Sequence, residues 1–166
     1  IASLDLKDSA KLLKAQQLLG QWDWNLDGKG PADALALMVL RPANKSHYNR
    51  GKMPDPRQIL EETVDHLTKY FDKIDPPMMD VLRMRQGEVD LPVDGGNDTI
   101  RASTLWDVED DGRLSVRHGD SFIMFMEWAK DGKVHSRSIQ PFGAATTRPE
   151  SPHYTDQMQL FVDKKL

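Results

Sequence analysis

The hydrophobic period of this chain changes near Pro76-Pro77, and that change limits the folds open to it. Before the two prolines, Leu60, Val64, Leu67, Phe71 and Ile74 recur at steps of four and three residues, the spacing of one helix face. Two earlier segments follow the same rule. Leu12, Ala15, Leu19 and Trp22 mark a helix over Leu6 to Trp22, with Asp5 or Asp8 at its start and Gly20 near its end. A second helix opens at Pro31 and is expected to stop before Pro42, because an interior proline forfeits a hydrogen bond and clashes with the preceding turn. Residues 42–56 then read as an exposed loop.

Beyond the prolines, alternation replaces helical spacing. Thr99 to Val108, Arg113 to Arg117, Asp120 to Ala129 and Lys133 to Gln140 read as strands. Asp111-Gly112 and Asp131-Gly132 read as two-residue hairpin turns with positive φ at both positions. Phe122, Met124, Met126 and Trp128 fall on one strand face, with Ile123 and Phe125 on the other, so this strand is expected inside a layered structure. Ser151-Pro152 opens a terminal helix whose buried stripe is Tyr154, Met158 and Phe161 or Val162. Helices over about 6–75, strands over about 99–140 and a helix over about 152–165 make an α+β chain: an antiparallel meander with flanking helices.

With 166 residues the chain is one domain's worth of core. A net charge of −4 gives no basic footprint for nucleic acid. No apolar run reaches the roughly 20 residues of a membrane span. The absence of cysteine excludes disulfides, thiolate catalysis and cysteine-ligated zinc. With Ile1 first and Lys164-Lys165-Leu166 last, residues 1–166 read as a single fragment of something longer.

Three local patterns carry candidate chemistry. Asp23-Trp24-Asn25-Leu26-Asp27-Gly28 matches the first half of a calcium loop, with oxygen ligands at Asp23, Asn25 and Asp27. The second half departs: Ala34 stands where a bidentate glutamate belongs, so the preferred reading is a turn in which Asp and Asn bond the backbone. His118-Gly119-Asp120-Ser121 holds the side chains of a serine hydrolase in four residues, but triad members are brought together by folds and not by adjacency. Ser121 also begins a strand, whereas a nucleophile elbow ends one. The histidines at 47, 66, 118, 135 and 153 show no metal-ligand spacing, and His66 beside Asp65 reads as a solvated helix residue. Asp94-Gly95-Gly96-Asn97-Asp98 reads as a turn, lacking the strand–glycine–helix context of a phosphate loop.

The tail is the most specific feature. Phe142-Gly143 followed by Arg148-Pro149-Glu150-Ser151-Pro152-His153-Tyr154-Thr155-Asp156-Gln157 resembles the closing stretch of penicillin acylases and acyl-homoserine-lactone acylases, which are N-terminal-nucleophile hydrolases. Leu18-Leu19-Gly20-Gln21-Trp22-Asp23, Leu91-Pro92 with Gly95 to Ala102, and Gly119 to Ile123 resemble other stretches of that family in the same order. The resemblance implies an αββα sandwich, of which this is the C-terminal portion of the β chain, matured from a periplasmic precursor. It implies cleavage of N-acyl amides, of β-lactam or acyl-homoserine-lactone type as in quorum quenching, by a serine freed at the start of that chain. The nucleophile, the oxyanion hole and any calcium site would lie outside the matched stretch, so no catalytic residue and no cofactor is assigned here. Ser151, His153, Asp156 and Gln157 are read as fixing the tail to the sandwich. The implied partners are the α chain and the N-terminal part of the β chain, with no nucleic acid and with self-association of the isolated fragment. The competing reading is a stand-alone binding or scaffold module with calcium at Asp23.

Overall fold

A computed structural model describes residues 1–97, 99–105 and 107–165. The chain is α+β. Its elements are α1 (Ala10–Gly20), α2 (Asp33–Tyr48), α3 (Pro56–Phe71), α4 (Met78–Val81), β1 (Leu82–Gln86), β2 (Val89–Pro92), β3 (Ser103–Thr104), β4 (Leu114–Ser115), β5 (His118–Gly119), β6 (Ile123–Trp128), β7 (Val134–Ile139) and α5 (Met158–Val162).

The helices begin and end for local reasons. Ser9, and neither Asp5 nor Asp8, caps α1: its Oγ accepts from Leu12 N at 3.4 Å. The two aspartates are engaged elsewhere, Asp5 with Lys7 N and Asp8 with the Arg57 guanidinium. At α3, Asp55 accepts from Gln58 N at 2.9 Å and Pro56 occupies the first turn, where its missing N–H is no loss. The periodic stripe buries Ile59, Leu60, Thr63, Val64 and Leu67, and Asp72 ends the helix in the left-handed region.

The expected stop before Pro42 does not occur, and α2 runs through it to Tyr48. All seven residues from Asp33 to Val39 are buried, so tertiary packing holds the helix where local propensity would end it. The exit is then well made. Arg50 has φ 52°, Arg50 N donates to His47 O, and Gly51 N donates to Ser46 O at 2.8 Å, which is a Schellman closure.

The strands form three small sheets. One has the order β2-β1-β4, with β1 and β2 antiparallel and β1 and β4 parallel; β3 pairs with β5, and β6 with β7. Most strands are shorter than their sequence patterns, and Trp106, within the first expected strand, lies outside the described residues. Both Asp-Gly turns exist, with a correction. Gly112 and Gly132 have φ 81° and 86°, but the aspartates before them do not have positive φ. Gly112 N donates to Glu109 O and Glu109 N to Arg113 O, and Ala129–Lys133 repeats the pattern, giving three-residue turns with a glycine bulge.

Helices α1–α4, β1, β4 and α5 share one core, centred on Leu6, Leu35, Leu60, Leu67, Met78, Leu82, Met84, Leu114 and Met158. The β6–β7 ribbon joins it only at its base. Only Ile139 of the ribbon is buried, and Ile123 at its base is half-buried. The strand expected inside a layered structure is exposed on both faces along most of its length, because among the described residues no helix or other sheet covers it.

Candidate functional site

Residues 151–157 form a strap of turns on the surface. Ser151 Oγ accepts from His153 N at 3.1 Å, and His153 Nδ1 lies 2.8 Å from Asp156 Oδ2. The His153 ring is well exposed and orders the strap locally. Gln157 does more. Its Oε1 accepts from Gln140 N at 2.7 Å, just past β7, while its backbone N donates to Phe142 O. Gln86 at the end of β1 donates to Tyr154 O at 2.5 Å. Ala145 N donates to His153 O, and a Cβ on Gly143 would lie 2.3 Å from that same oxygen. Glycine there permits the close approach of two backbones. The strap therefore ties the end of β7 to the β1–β2 turn and feeds α5, where Met158 and Phe161 are buried.

A second junction secures α5 from its other end. Asp94, almost fully buried, accepts from Arg101 Nη1 at 2.5 Å and from Lys164 Nζ at 2.6 Å. Arg101 also donates to Phe161 O and Val162 O, the last carbonyls of the helix, and its guanidinium lies 4.6 Å over the Phe161 ring. In the sequence Asp94 reads only as part of a turn, and no pattern marks Arg101. Beside this junction opens a cavity of about 460 Å³ walled by Leu26, Ile100, Ile123, Phe125, Ile139 and Phe161. Its size and apolar wall fall within the range of ligand or side-chain seats, about 300–1,000 Å³.

In the loop before α2, Asp23 Oδ1 accepts from Asn25 N at 3.0 Å. Asp27 accepts from Lys29 N at 3.1 Å and from Lys29 Nζ at 2.7 Å. The Lys29 ammonium holds the Asp27 carboxyl below the usual carboxylate range. As folded, these groups serve the turn; among the described residues no three His, Asp or Glu side chains gather for a metal ion. The residue missed here is Asp33. It is fully buried, its Oδ2 accepts from Gly30 N at 3.0 Å, and its Oδ1 has no partner. Burial raises its pKa above the usual value, and the Asp23 and Asp27 carboxylates add to the rise. The expected start at Pro31 falls two residues early, and the aspartate that in fact opens α2 was the signal available for it.

His66 is half-buried, contrary to the solvated reading: its Nε2 donates to Gly112 O at 2.7 Å, and burial lowers its pKa. His118, Asp120 and Ser121 border a cleft of about 320 Å³ with Arg117 and Phe142. No hydrogen bond joins Ser121 to His118 or Asp120, and a Cβ at Gly119 would lie 2.0 Å from Ala102 O. The glycine there serves strand pairing between β5 and β3.

The chain is thus α+β, with a strap of turns that fastens its last helix. The family model for penicillin amidase matches residues 4–166, and the chain belongs to that family. No curated protein matches it.

Proposed function

We propose that this chain is the C-terminal segment of the β chain of an acylase that hydrolyses N-acyl amides, of β-lactam or acyl-homoserine-lactone type, in the periplasm. The observation that carries this reading is the family match across residues 4–166. The nucleophile of the parent enzyme is then a serine at the start of a longer β chain. Its own α-amine, with a pKa near 8, accepts the hydroxyl proton during acyl transfer, and water releases the acid. This segment contributes shape and not chemistry. Ser151, His153, Asp156 and Gln157 fasten the tail, and the apolar cavity with the adjoining ribbon face of Ile123 and Phe125 offers a seat for the remainder of the acylase.

The test is an amide-hydrolysis assay on phenylacetyl amides and acyl-homoserine lactones. The purified 166-residue chain should release no product, and co-expression with the polypeptide encoded upstream of it should restore turnover. Turnover by the isolated chain, abolished by Ser121→Ala, would replace this reading with a self-contained serine hydrolase.

A further inference from the structure

The loop between α1 and α2 carries more acid than its turn needs. Asp23, Asn25 and Asp27 put side-chain oxygens at alternate positions, and Gly28 follows with φ 78°, the sharp glycine turn of a calcium loop. Ala34 replaces the glutamate that would close such a loop, but Asp33 directly before it is fully buried, at 0% exposure. Asp33 Oδ2 accepts from Gly30 N at 3.0 Å, and Oδ1 has no partner. A buried carboxylate oxygen without a donor is costly unless a cation compensates it. Gly30 keeps space beside that oxygen: a Cβ there would lie 2.5 Å from Oδ1. Its φ is not positive, so the need for glycine is one of room and not of backbone conformation. The Asp23 and Asp27 carboxylates also act on Asp33, adding to the rise in its pKa.

We infer that this loop is a calcium site closed by Asp33, with Asp23, Asn25 and Asp27 as the other side-chain ligands and the Lys29 carbonyl in the backbone position of such loops. Among the described residues no three carboxylates converge as folded, and Asp27 is turned to Lys29, whose Nζ lies 2.7 Å from Oδ2. The Lys29 side chain is 83% exposed, so this is a weak surface bridge that a divalent ion displaces at little cost. Calcium accepts irregular shells of six to eight oxygens, so these five groups and water suffice; magnesium demands near-ideal octahedral geometry and is disfavoured. Another Asp-Gly-Lys turn in the chain shows what is special here. Asp131 accepts from Lys133 N at 3.1 Å just as Asp27 does from Lys29 N, but Ala129 and Arg137 stand where the loop has Asn25 and Asp33. Bound calcium fixes the segment that carries Leu26, whose carbonyl accepts from Gly95 N at 2.9 Å and whose side chain walls the apolar cavity. The site goes beyond the acylase reading and does not depend on it.

The test is thermal unfolding of the full chain at pH 7 with calcium or magnesium, together with terbium luminescence. A loop lacking the bidentate glutamate belongs with the weak calcium modules, with Kd about 10⁻⁴–10⁻³ M, so about 10 mM calcium should raise Tm by about 3–10 °C. Magnesium at the same concentration should have little effect. Terbium, which takes calcium's oxygen sites, should luminesce on excitation of Trp22 and Trp24, since Trp22 Nε1 donates to Asn25 O at 2.8 Å within the loop; calcium should quench it by competition. Asp33→Asn should weaken calcium binding at least about tenfold while leaving the chain folded and no less stable without the ion. Lys29→Ala frees Asp27 and should tighten binding roughly threefold. Asp131→Asn, which loses the matching turn bonds, should bind as the native chain does. The inference is overturned by a Tm that ignores calcium, which would mean that a proton and not a metal ion satisfies Asp33. It is equally overturned by an Asp33→Asn chain that binds normally, by a Lys29→Ala chain that binds no more tightly, or by a loss of binding in Asp131→Asn.

Discussion

Replacing Arg101 with alanine tests whether the tail of this chain is held by charge or by apolar packing. The substitution leaves Asp94 almost fully buried with Lys164 as its remaining cation, and removes the Arg101 donors to the final carbonyls of α5, so that Phe161 O keeps only the bond from Lys164 N and Val162 O loses its guanidinium partner. Deleting one partner of a buried ion pair costs roughly 3–5 kcal/mol, since the surviving charge has lost its compensation. Lys164 remains, but its side chain is 63% exposed and its hold is weakened by solvent. The expected loss is therefore about 2–4 kcal/mol, or about 4–16 °C in Tm at the scale for a chain of this length. Urea unfolding monitored by circular dichroism would measure it, and hydrogen exchange should localise the first opening to the amides of Met158–Val162. The double variant Asp94→Asn/Arg101→Met separates the causes. If the penalty is the stranded carboxylate, the double variant recovers most of the loss. A loss under about 1 kcal/mol for Arg101→Ala, within reach of an ordinary surface change, would refute the argument. So would a double variant as unstable as the single one.

Gly112→Ala should destabilise the chain by about 2 kcal/mol or more, because φ is 81° and the new Cβ would lie 2.2 Å from Tyr70 Cγ; urea midpoints would show it. Pro42→Ala should stabilise α2 by about 1–2 kcal/mol in the same assay, restoring the hydrogen bond that an interior proline lacks. Asp33 has a folded pKa above its unfolded value, so its favourable contribution is present below about pH 4 and is lost as pH rises. Asp33→Asn should accordingly gain stability relative to the native chain as pH goes from about 4 to 7, read from unfolding curves at each pH.

Much of this fold is legible where local and tertiary preferences agree. The α3 stripe from Leu60 to Leu67 is such a case, although its capped start at Asp55-Pro56 falls within the stretch read as loop. The β1–β2 hairpin was not read. Leu82 and Met84 do alternate with Arg83 and Arg85, but the turn at Gln86-Gly87-Glu88 lacks an Asx-Gly signal, and β1 is completed by the distant, parallel β4. Pro42 misled for the converse reason: a valid local rule lost to the burial of Asp33–Val39. At the candidate site, the tail motif was visible as a run of residues. Its mechanical role came only from contacts more than ten residues away, such as Gln157 to Gln140 and Tyr154 to Gln86. The Asp94–Arg101–Lys164 junction spans 70 positions and has no local pattern to betray it.

The ribbon is where sequence and structure disagree most usefully. Phe122 to Trp128 has the composition of a strand buried on both sides, and the structure leaves it exposed on both. An isolated two-stranded hairpin is at best marginally stable in water. Here its base is anchored through buried Ile139 and the bond from Gln140 to Gln157, while none of the described residues outside the ribbon braces the tip at Asp131-Gly132. A sequence that keeps Met124, Met126 and Trp128 on one face against that cost is written for contact with another surface. The strap at Ser151–Gln157 then gains a second purpose: by holding the end of β7, it sets the angle at which the apolar ribbon is presented.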